Sequence, residues 1–238
     1  MKILQKYPGF VVVYKAPGIG VHREFGADDQ TLQDGILPQL RLQLNIQQLY
    51  IVHRLDKVTS GLMIVATEQS AAARLGKMFE DREIEKYYIA ISDKKPKKKQ
   101  GMVKGDMEKA RSSAWKLVRG TSDPAITQFF SFSLGGGQRL FVVKPLTGKT
   151  HQIRVALKSV GSPVLGDRLY GSKESQADRT YLHAYAMRFH WQGEELKIIC
   201  PPLDGQLFES HEHLQNTLLA ARGFDYKNPW DFPWPKPH

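Results

Sequence analysis

Short runs of β-branched and aromatic residues, separated by turn formers, set the pattern of this chain. Phe10-Val11-Val12-Val13-Tyr14, bounded by Pro8-Gly9 and Pro17-Gly18, reads as a strand between turns. Comparable runs predict strands at 50–52, 61–66, 87–91, 113–119, 126–133, 138–145, 181–191 and 195–200. Leu134-Gly135-Gly136-Gly137 and Gln192-Gly193 read as hairpin connections. Residues 26–49 are rich in Gln and Leu but show little periodicity.

Helical spacing appears in two places. Over 68–82 the residues Ala71, Leu75, Met78 and Phe79 share a face, with Thr67 as the expected N-cap. Over 151–160 the apolar face is Ile153, Ala156, Leu157 and Val160; Thr150 is the expected cap and Gly161 the stop. A last helix is predicted from Asp204 to Arg222, ending at Gly223. Many strands in hairpin order with few helices predict an α+β domain, built on a mostly antiparallel mixed sheet flanked by helices. We expect that domain to span residues 1–222. The Pro- and aromatic-rich tail, residues 223–238, either packs on the surface or stays loose.

Composition narrows the class. At 238 residues, 41% of them hydrophobic, the chain can bury a core without staples. Its one cysteine, Cys200, allows no intrachain disulfide, which suits a reducing compartment. The N-terminus has no signal-peptide pattern and no apolar run is long enough to cross a membrane, so a cytoplasmic protein is expected, with no membrane partner and a monomer as the default state. The net charge is +10, with Lys94, Lys95, Lys97, Lys98 and Lys99 in one run. That excess favours an anionic partner such as nucleic acid; the alternative is a solvated lysine loop.

Three familiar motifs fail. Gly148-Lys149-Thr150 resembles the end of a P-loop, but Val143 stands where its first glycine is needed. His211-Glu212-His213 lacks the second zinc-binding histidine, since position 215 is Gln. No Gly-rich dinucleotide fingerprint follows a strand. Neither a metal nor an organic cofactor is expected.

Three residues stand out as candidate chemistry. Asp56 lies at a turn between Arg54 and Lys57, ahead of the apolar run Gly61-Leu62-Met63-Ile64-Val65-Ala66. It is either a nucleophile held ionised by its neighbours or half of a surface salt bridge. Arg154 sits in the first turn of the second helix, after His151 and Gln152. That donor-rich start suits an anion, whether phosphate or a carboxylate such as Asp56; the alternative is an arginine turned to solvent. Tyr88 and Ala90 share one face of a strand, Tyr87 and Ile89 the other, so one tyrosine is core and the other can face a cleft.

His53-Arg54-Leu55-Asp56 with Thr59-Ser60-Gly61 resembles the signature of the RluA-type RNA pseudouridine synthases. So do Lys86-x-Tyr88-x-Ala90, Leu146-Thr147-Gly148-Lys149-Thr150-His151-Gln152-Ile153-Arg154, the loop Gly161–Gly171, and Leu182-His183-Ala184. With Lys15-Ala16-Pro17-Gly18 and His22 at the start, the likeness covers roughly residues 7–210. It implies the pseudouridine synthase fold with a central catalytic cleft. It also implies isomerisation of uridine in tRNA or rRNA, without cofactor or metal. Asp56 takes the place of the catalytic aspartate, Tyr88 of the active-site tyrosine and Arg154 of the arginine that pairs with the aspartate. Arg54 matches an arginine that holds the place of the flipped-out base. His53, Thr59, His151 and Gln152 follow as substrate-binding candidates, and the five lysines as contacts to the RNA backbone.

Two departures accompany the likeness. Tyr14-Lys15-Ala16-Pro17-Gly18 shifts the usual Asn-Lys-Pro-x-Gly, and no N-terminal S4 RNA-binding domain is expected, because the pattern begins near residue 7. The alternative function is a non-catalytic RNA-binding or RNA-folding protein using the same cleft. A glycosidase is a weaker reading, since it needs a second carboxylate.

Overall fold

One sheet of 11 strands organises the described residues. The computed structural model describes residues 1–21, 24–25, 32–33, 35–172, 174–209 and 228–235. In chain order the elements begin with strands β1 (Lys2–Tyr7), β2 (Phe10–Lys15), β3 (Glu24–Phe25) and β4 (Leu32–Gln33), then helix α1 (Ile36–Leu44). Next come β5 (Tyr50–Ile51), β6 (Ser60–Ala66), helix α2 (Gln69–Glu80), β7 (Glu85–Ser92), β8 (Gln100–Lys109) and β9 (Trp115–Val118). The hairpin β10 (Ala125–Gly135) and β11 (Gln138–Pro145) leads to helix α3 (Gln152–Ser159). The described chain ends with β12 (Leu182–Trp191), β13 (Glu194–Ile199), α4 (Gln206–Glu209) and a 3₁₀ turn at Pro229–Asp231.

The sheet runs β1-β2-β6-β12-β7-β11-β10-β8-β9, with β13 beside β12 and β5 beside β6. Among the described residues every pairing is antiparallel except β6 with β12, where His183 faces Ser60 and Ala184 faces Gly61. Gly61 explains how two strands can meet there. A Cβ at this position would stand 2.3 Å from the Ala184 carbonyl oxygen, and its φ of 113° disfavours any side chain.

Strands β1 and β8 were not foreseen, and β1 shows why. It is an edge strand whose side chains are mostly exposed, so backbone pairing with β2 makes it a strand without an apolar pattern. In β8 only Val103 and Gly105 are buried. Helix α1 lies in the stretch that looked patternless, because Ile36, Leu37 and Leu40 are buried while the glutamines blur the period. Both expected caps are corrected. Glu68, not Thr67, precedes α2, and the Thr67 amide donates to the Gly9 carbonyl instead. His151, not Thr150, caps α3, in a left-handed conformation and with no side-chain cap bond. Of the helix expected over 204–222, Asp204 and Gly205 are not helical and Gln206–Glu209 is; 210–222, with Gly223 and the His211-Glu212-His213 motif, lies outside the described residues, as does His22.

Alternate residues of the central strands serve two layers. Tyr88, Ala90, Phe141 and Val143 join the larger core with Ala71, Leu75 and Met78 of α2 and Ile153, Ala156 and Leu157 of α3. On the other face, Ile89, Ile91 and Leu140 meet Tyr181 and Phe208, and Phe130 and Val142 meet Phe232. Residues 228–235 of the tail are therefore packed. Trp234 lies edge-on to Phe130 with centroids 5.1 Å apart, and Trp230 and Trp234 both approach Tyr87.

His183 ties the sheet to the segment after β13. Its ring is fully buried, with Nδ1 2.8 Å from Ser60 Oγ and Nε2 2.7 Å from the Cys200 carbonyl oxygen. Arg179 Nη2 donates to the same Ser60 oxygen at 2.6 Å. Ser60 can then donate to Nδ1 while Nε2–H donates to the carbonyl, which fixes a neutral ring. Burial pushes its pKa down to about 3, against the opposing pull of the Cys200 carbonyl. An unfolded histidine titrates near 6.5. Between those values the unfolded chain binds a proton that the folded chain refuses. Stability from this ring is therefore complete above about pH 6.5 and falls as the pH drops toward 3. Urea unfolding should show up to ~1.4 kcal/mol lost per pH unit between about pH 6 and 4 from His183 alone. His183→Asn should flatten that slope; equal slopes in the two proteins would refute the assignment.

Candidate active site

Asp56 is held at a turn between β5 and β6. The Thr59 amide donates to the Asp56 carbonyl at 3.0 Å, and Leu55 is buried beneath the turn. The Lys57 carbonyl accepts from the Gly18 amide at 2.8 Å and from the buried Lys15 ammonium at 3.1 Å, so the opening Lys15–Gly18 segment clamps the back of the turn. His53 fixes its other end. Its Nε2 accepts from the Ile64 amide of β6 at 2.9 Å, and its ring stacks on Phe79 of α2 with centroids 4.4 Å apart. A histidine that accepts at Nε2 carries its proton on Nδ1 and is neutral. His53 thus extends the β5–β6 ladder by one side-chain bond as well as lining the cavity.

Arg154 joins this turn to the loop after α3. Its Nη1 donates to Asp56 at 3.1 Å, while Nε and Nη2 form a two-pronged pair with Asp167 at 2.7 and 2.9 Å. Arg154 is 5% exposed and Asp167 fully buried. Asp167 also accepts from the Leu169 and Tyr170 amides. One cation serves two carboxylates, so the trio carries a net negative charge. Gly166 lets the loop reach this depth: with φ at 72°, a Cβ there would lie 1.9 Å from the Arg179 carbonyl oxygen. Tyr170 packs against Arg154, its ring centre 4.9 Å from the guanidinium carbon. Its hydroxyl accepts from the Trp115 amide at 2.8 Å and lies 2.9 Å from His151 Nδ1. Burial pushes the His151 pKa down, partly offset by the charge on Asp56.

Tyr88 supplies a wall. It comes from β7, is 9% exposed and lines the same cavity as Asp56, with a volume of about 520 Å³. Burial first, and then the Asp56 charge, push its hydroxyl pKa up, so the ring stays neutral at physiological pH. Arg54, exposed at the rim, and Thr59, His151 and Gln152 also line the cavity. The lysine run lies elsewhere. The Lys97 amide donates to the Val160 carbonyl at the C-terminal end of α3, about 12 Å of helix away from the end that carries His151.

Residues 9–159, more than half of the chain, match the RNA pseudouridylate synthase family. An uncharacterized RNA pseudouridine synthase of Haemophilus influenzae is 46% identical over 208 residues, covering 87% of this chain and 90% of that protein. The chain belongs to the RluA-type RNA pseudouridine synthases. The dual-specificity RNA pseudouridine synthase RluA of Salmonella typhimurium is 37% identical over 150 residues, covering 60% of this chain and 68% of that one. In structure, human RNA pseudouridylate synthase domain containing 4 superposes with a TM-score of 0.68 at 27% identity, covering 87% of this chain and 90% of that chain. The fold is that of the pseudouridine synthases, and the protein is an isomerase that acts on RNA.

For a pseudouridine synthase of this type, the structure brings Asp56, Tyr88 and Arg154 to one cavity, from β5–β6, β7 and α3. Asp167 and Tyr170 went unrecognised in the sequence, although both lie in the loop singled out for its turn formers. The signal was available: a buried guanidinium has five donors, and one aspartate cannot satisfy them. Among the described residues no cluster of three His, Cys, Asp or Glu side chains is placed to hold a metal ion.

Gln152 is wholly occupied within the protein. Its Oε1 accepts from Thr147 Oγ1 and the Lys149 amide, and its Nε2 donates to the Ile126 carbonyl and Thr127 Oγ1. These bonds pin the 145–150 loop to β10, which leaves the side chain no group with which to read a substrate. Gln152→Leu strands several buried partners at about 1–3 kcal/mol each, so urea unfolding should show a loss of roughly 2–4 kcal/mol. A variant of unchanged stability with weakened RNA binding would instead place Gln152 on the substrate.

Proposed function

We propose that Asp56 is the catalytic residue of this RNA pseudouridine synthase, acting on a uridine flipped out of its RNA stack. The observation that carries this reading is the ion pair between Asp56 and a buried arginine that is itself held by a second carboxylate. Isomerisation breaks the N1–C1′ bond, turns the base and joins C5 to C1′; the C5 proton leaves and N1 gains one. A fixed carboxylate beside the sugar and base can attack at C1′ or at C6. Arg154 holds that carboxylate in place, and the Tyr88 ring gives the turning base a flat wall against which to stack. Base flipping is part of this reading, and a cavity of about 520 Å³ supports it, having room for a nucleotide but not for a duplex.

The substrate is tRNA or rRNA. A relative from Haemophilus ducreyi, 30% identical over 92% of this chain, is named ribosomal large subunit pseudouridine synthase C, which makes rRNA the first RNA to examine. Arg54 at the rim would fill the gap that the flipped base leaves. Lys94, Lys95, Lys97, Lys98 and Lys99, exposed and away from the cavity, would hold RNA phosphates without reading sequence. The enzyme would work as a cytoplasmic monomer without metal or cofactor, residues 1–222 forming the catalytic domain and 223–238 its tail.

Comparison of pseudouridines in cellular RNA from strains carrying wild-type enzyme, Asp56→Asn enzyme or none should show one or more positions lost in both mutant strains. In vitro, Asp56→Asn should slow isomerisation by at least about a thousandfold and leave the unfolding midpoint within a few degrees of wild type. Retained turnover would remove Asp56 from the chemistry. RNA binding without any lost pseudouridine would favour the non-catalytic reading.

A further inference from the structure

Part of the cavity lining is left unused by the chemistry at Asp56. It lies between the C-terminal turn of α2 and the 145–150 loop and comprises Phe79, Arg82, Lys86, Leu146 and Gly148. Helix α2 closes in a Schellman turn: the Glu83 amide donates to the Met78 carbonyl and the Arg82 amide to that of Phe79. The residue between these bonds must adopt a left-handed conformation, where glycine is the usual choice. Here it is Arg82, with φ at 62°. An arginine kept at a glycine position is a strained choice that local stability does not explain.

Four residues on, Lys86 is part of a motif that gained no role from the reaction. Its ammonium lies 5.8 Å over the Phe79 ring and is only partly exposed. Neither Arg82 nor Lys86 makes a side-chain hydrogen bond or an ion pair among the described residues. Burial, and then Arg82, push the Lys86 pKa down, so the two cations are disfavoured together until an anion joins them. The carboxylate on this rim, Glu80, is solvent-exposed.

We propose that Arg82 and Lys86 form a phosphate subsite, which holds an RNA phosphodiester flanking the uridine at Asp56. This rests on the reading of Asp56 as the place where the uridine sits. With the base at Asp56, the backbone on either side of it must run along other parts of the cavity lining, and Arg82 and Lys86 belong to that lining. Two cations lining one cavity, one placed by a left-handed turn and one half-sheltered, match a phosphodiester there.

The test measures binding of a fluorescently labelled oligouridylate as salt is raised, in wild type, Arg82→Gly, Lys86→Met and Lys86→Arg, with Lys77→Met on the outer face of α2 as control. Arg82→Gly and Lys86→Met should each lower the slope of log affinity against log salt by about 0.7, and weaken binding about fivefold near 0.1 M salt. Lys86→Arg should keep both values. Arg82→Gly should also raise the thermal midpoint, because glycine relieves the turn. A more stable protein that binds RNA less well is the signature of a strained functional arginine. Slopes unchanged in both Arg82→Gly and Lys86→Met, or lowered as much by Lys77→Met, would overturn the subsite and leave Asp56 untouched. Pseudouridine formation by Asp56→Asn would overturn the role of Asp56 while the salt slopes still stood.

Discussion

A single guanidinium, Arg154, shared between two carboxylates is the contact on which the rest of this structure depends. A buried arginine bound to one aspartate would leave donors unsatisfied, and losing the fully buried Asp167 from such a pair would cost about 3–5 kcal/mol. Asp167 takes two donors and fixes the plane of the guanidinium; the remaining edge faces Asp56. Because the charge is divided, Asp56 is positioned without being fully neutralised. On the proposed role of Asp56, a carboxylate so placed is suited to act as a nucleophile.

The fold can be understood as the means of assembling that trio from three distant parts of the chain. Asp56 comes from a turn secured by His53 and Lys15, Arg154 from the first turn of α3, and Asp167 from a loop that Gly166 lets pass within contact of Arg179. Gly61 allows β6 to lie parallel to β12, which brings the Asp56 turn beside Leu182 and the Tyr88 strand. Tyr88 is braced from behind: its neighbour Tyr87 points to the opposite face, where Trp230 and Trp234 cover it. Polar side chains that look available for substrate, Gln152 above all, are consumed in holding these pieces together.

The central strands, helices α2 and α3 and the two glycine hairpins were legible because they bury apolar residues at regular spacing, whereas α1 was not. What escaped was whatever is stabilised by backbone pairing or by distant partners. β1 and β8 have no apolar alternation to betray them. Thr67 and Thr150 have the chemistry of caps, but tertiary contacts end those helices elsewhere: the Thr67 amide is drawn to Gly9, and the His151 side chain to Tyr170. Asp56, Arg154 and Tyr88 were found through motifs. Asp167 and Tyr170 were missed because the sign of them lay at Arg154, whose donors outnumber what one aspartate can accept, and not in their own surroundings.

Whether Asp167 acts through Arg154 is measured most directly by a double-mutant cycle on the rate of pseudouridine formation. Asp167→Asn, Arg154→Lys and the double variant would be compared with wild type on the RNA position that mapping identifies. If the two residues form one unit, the double variant should be no slower than the slower single variant, and the coupling should approach the full effect of either. Losses that simply multiply would show that Asp167 and Arg154 contribute independently, and would contradict the account.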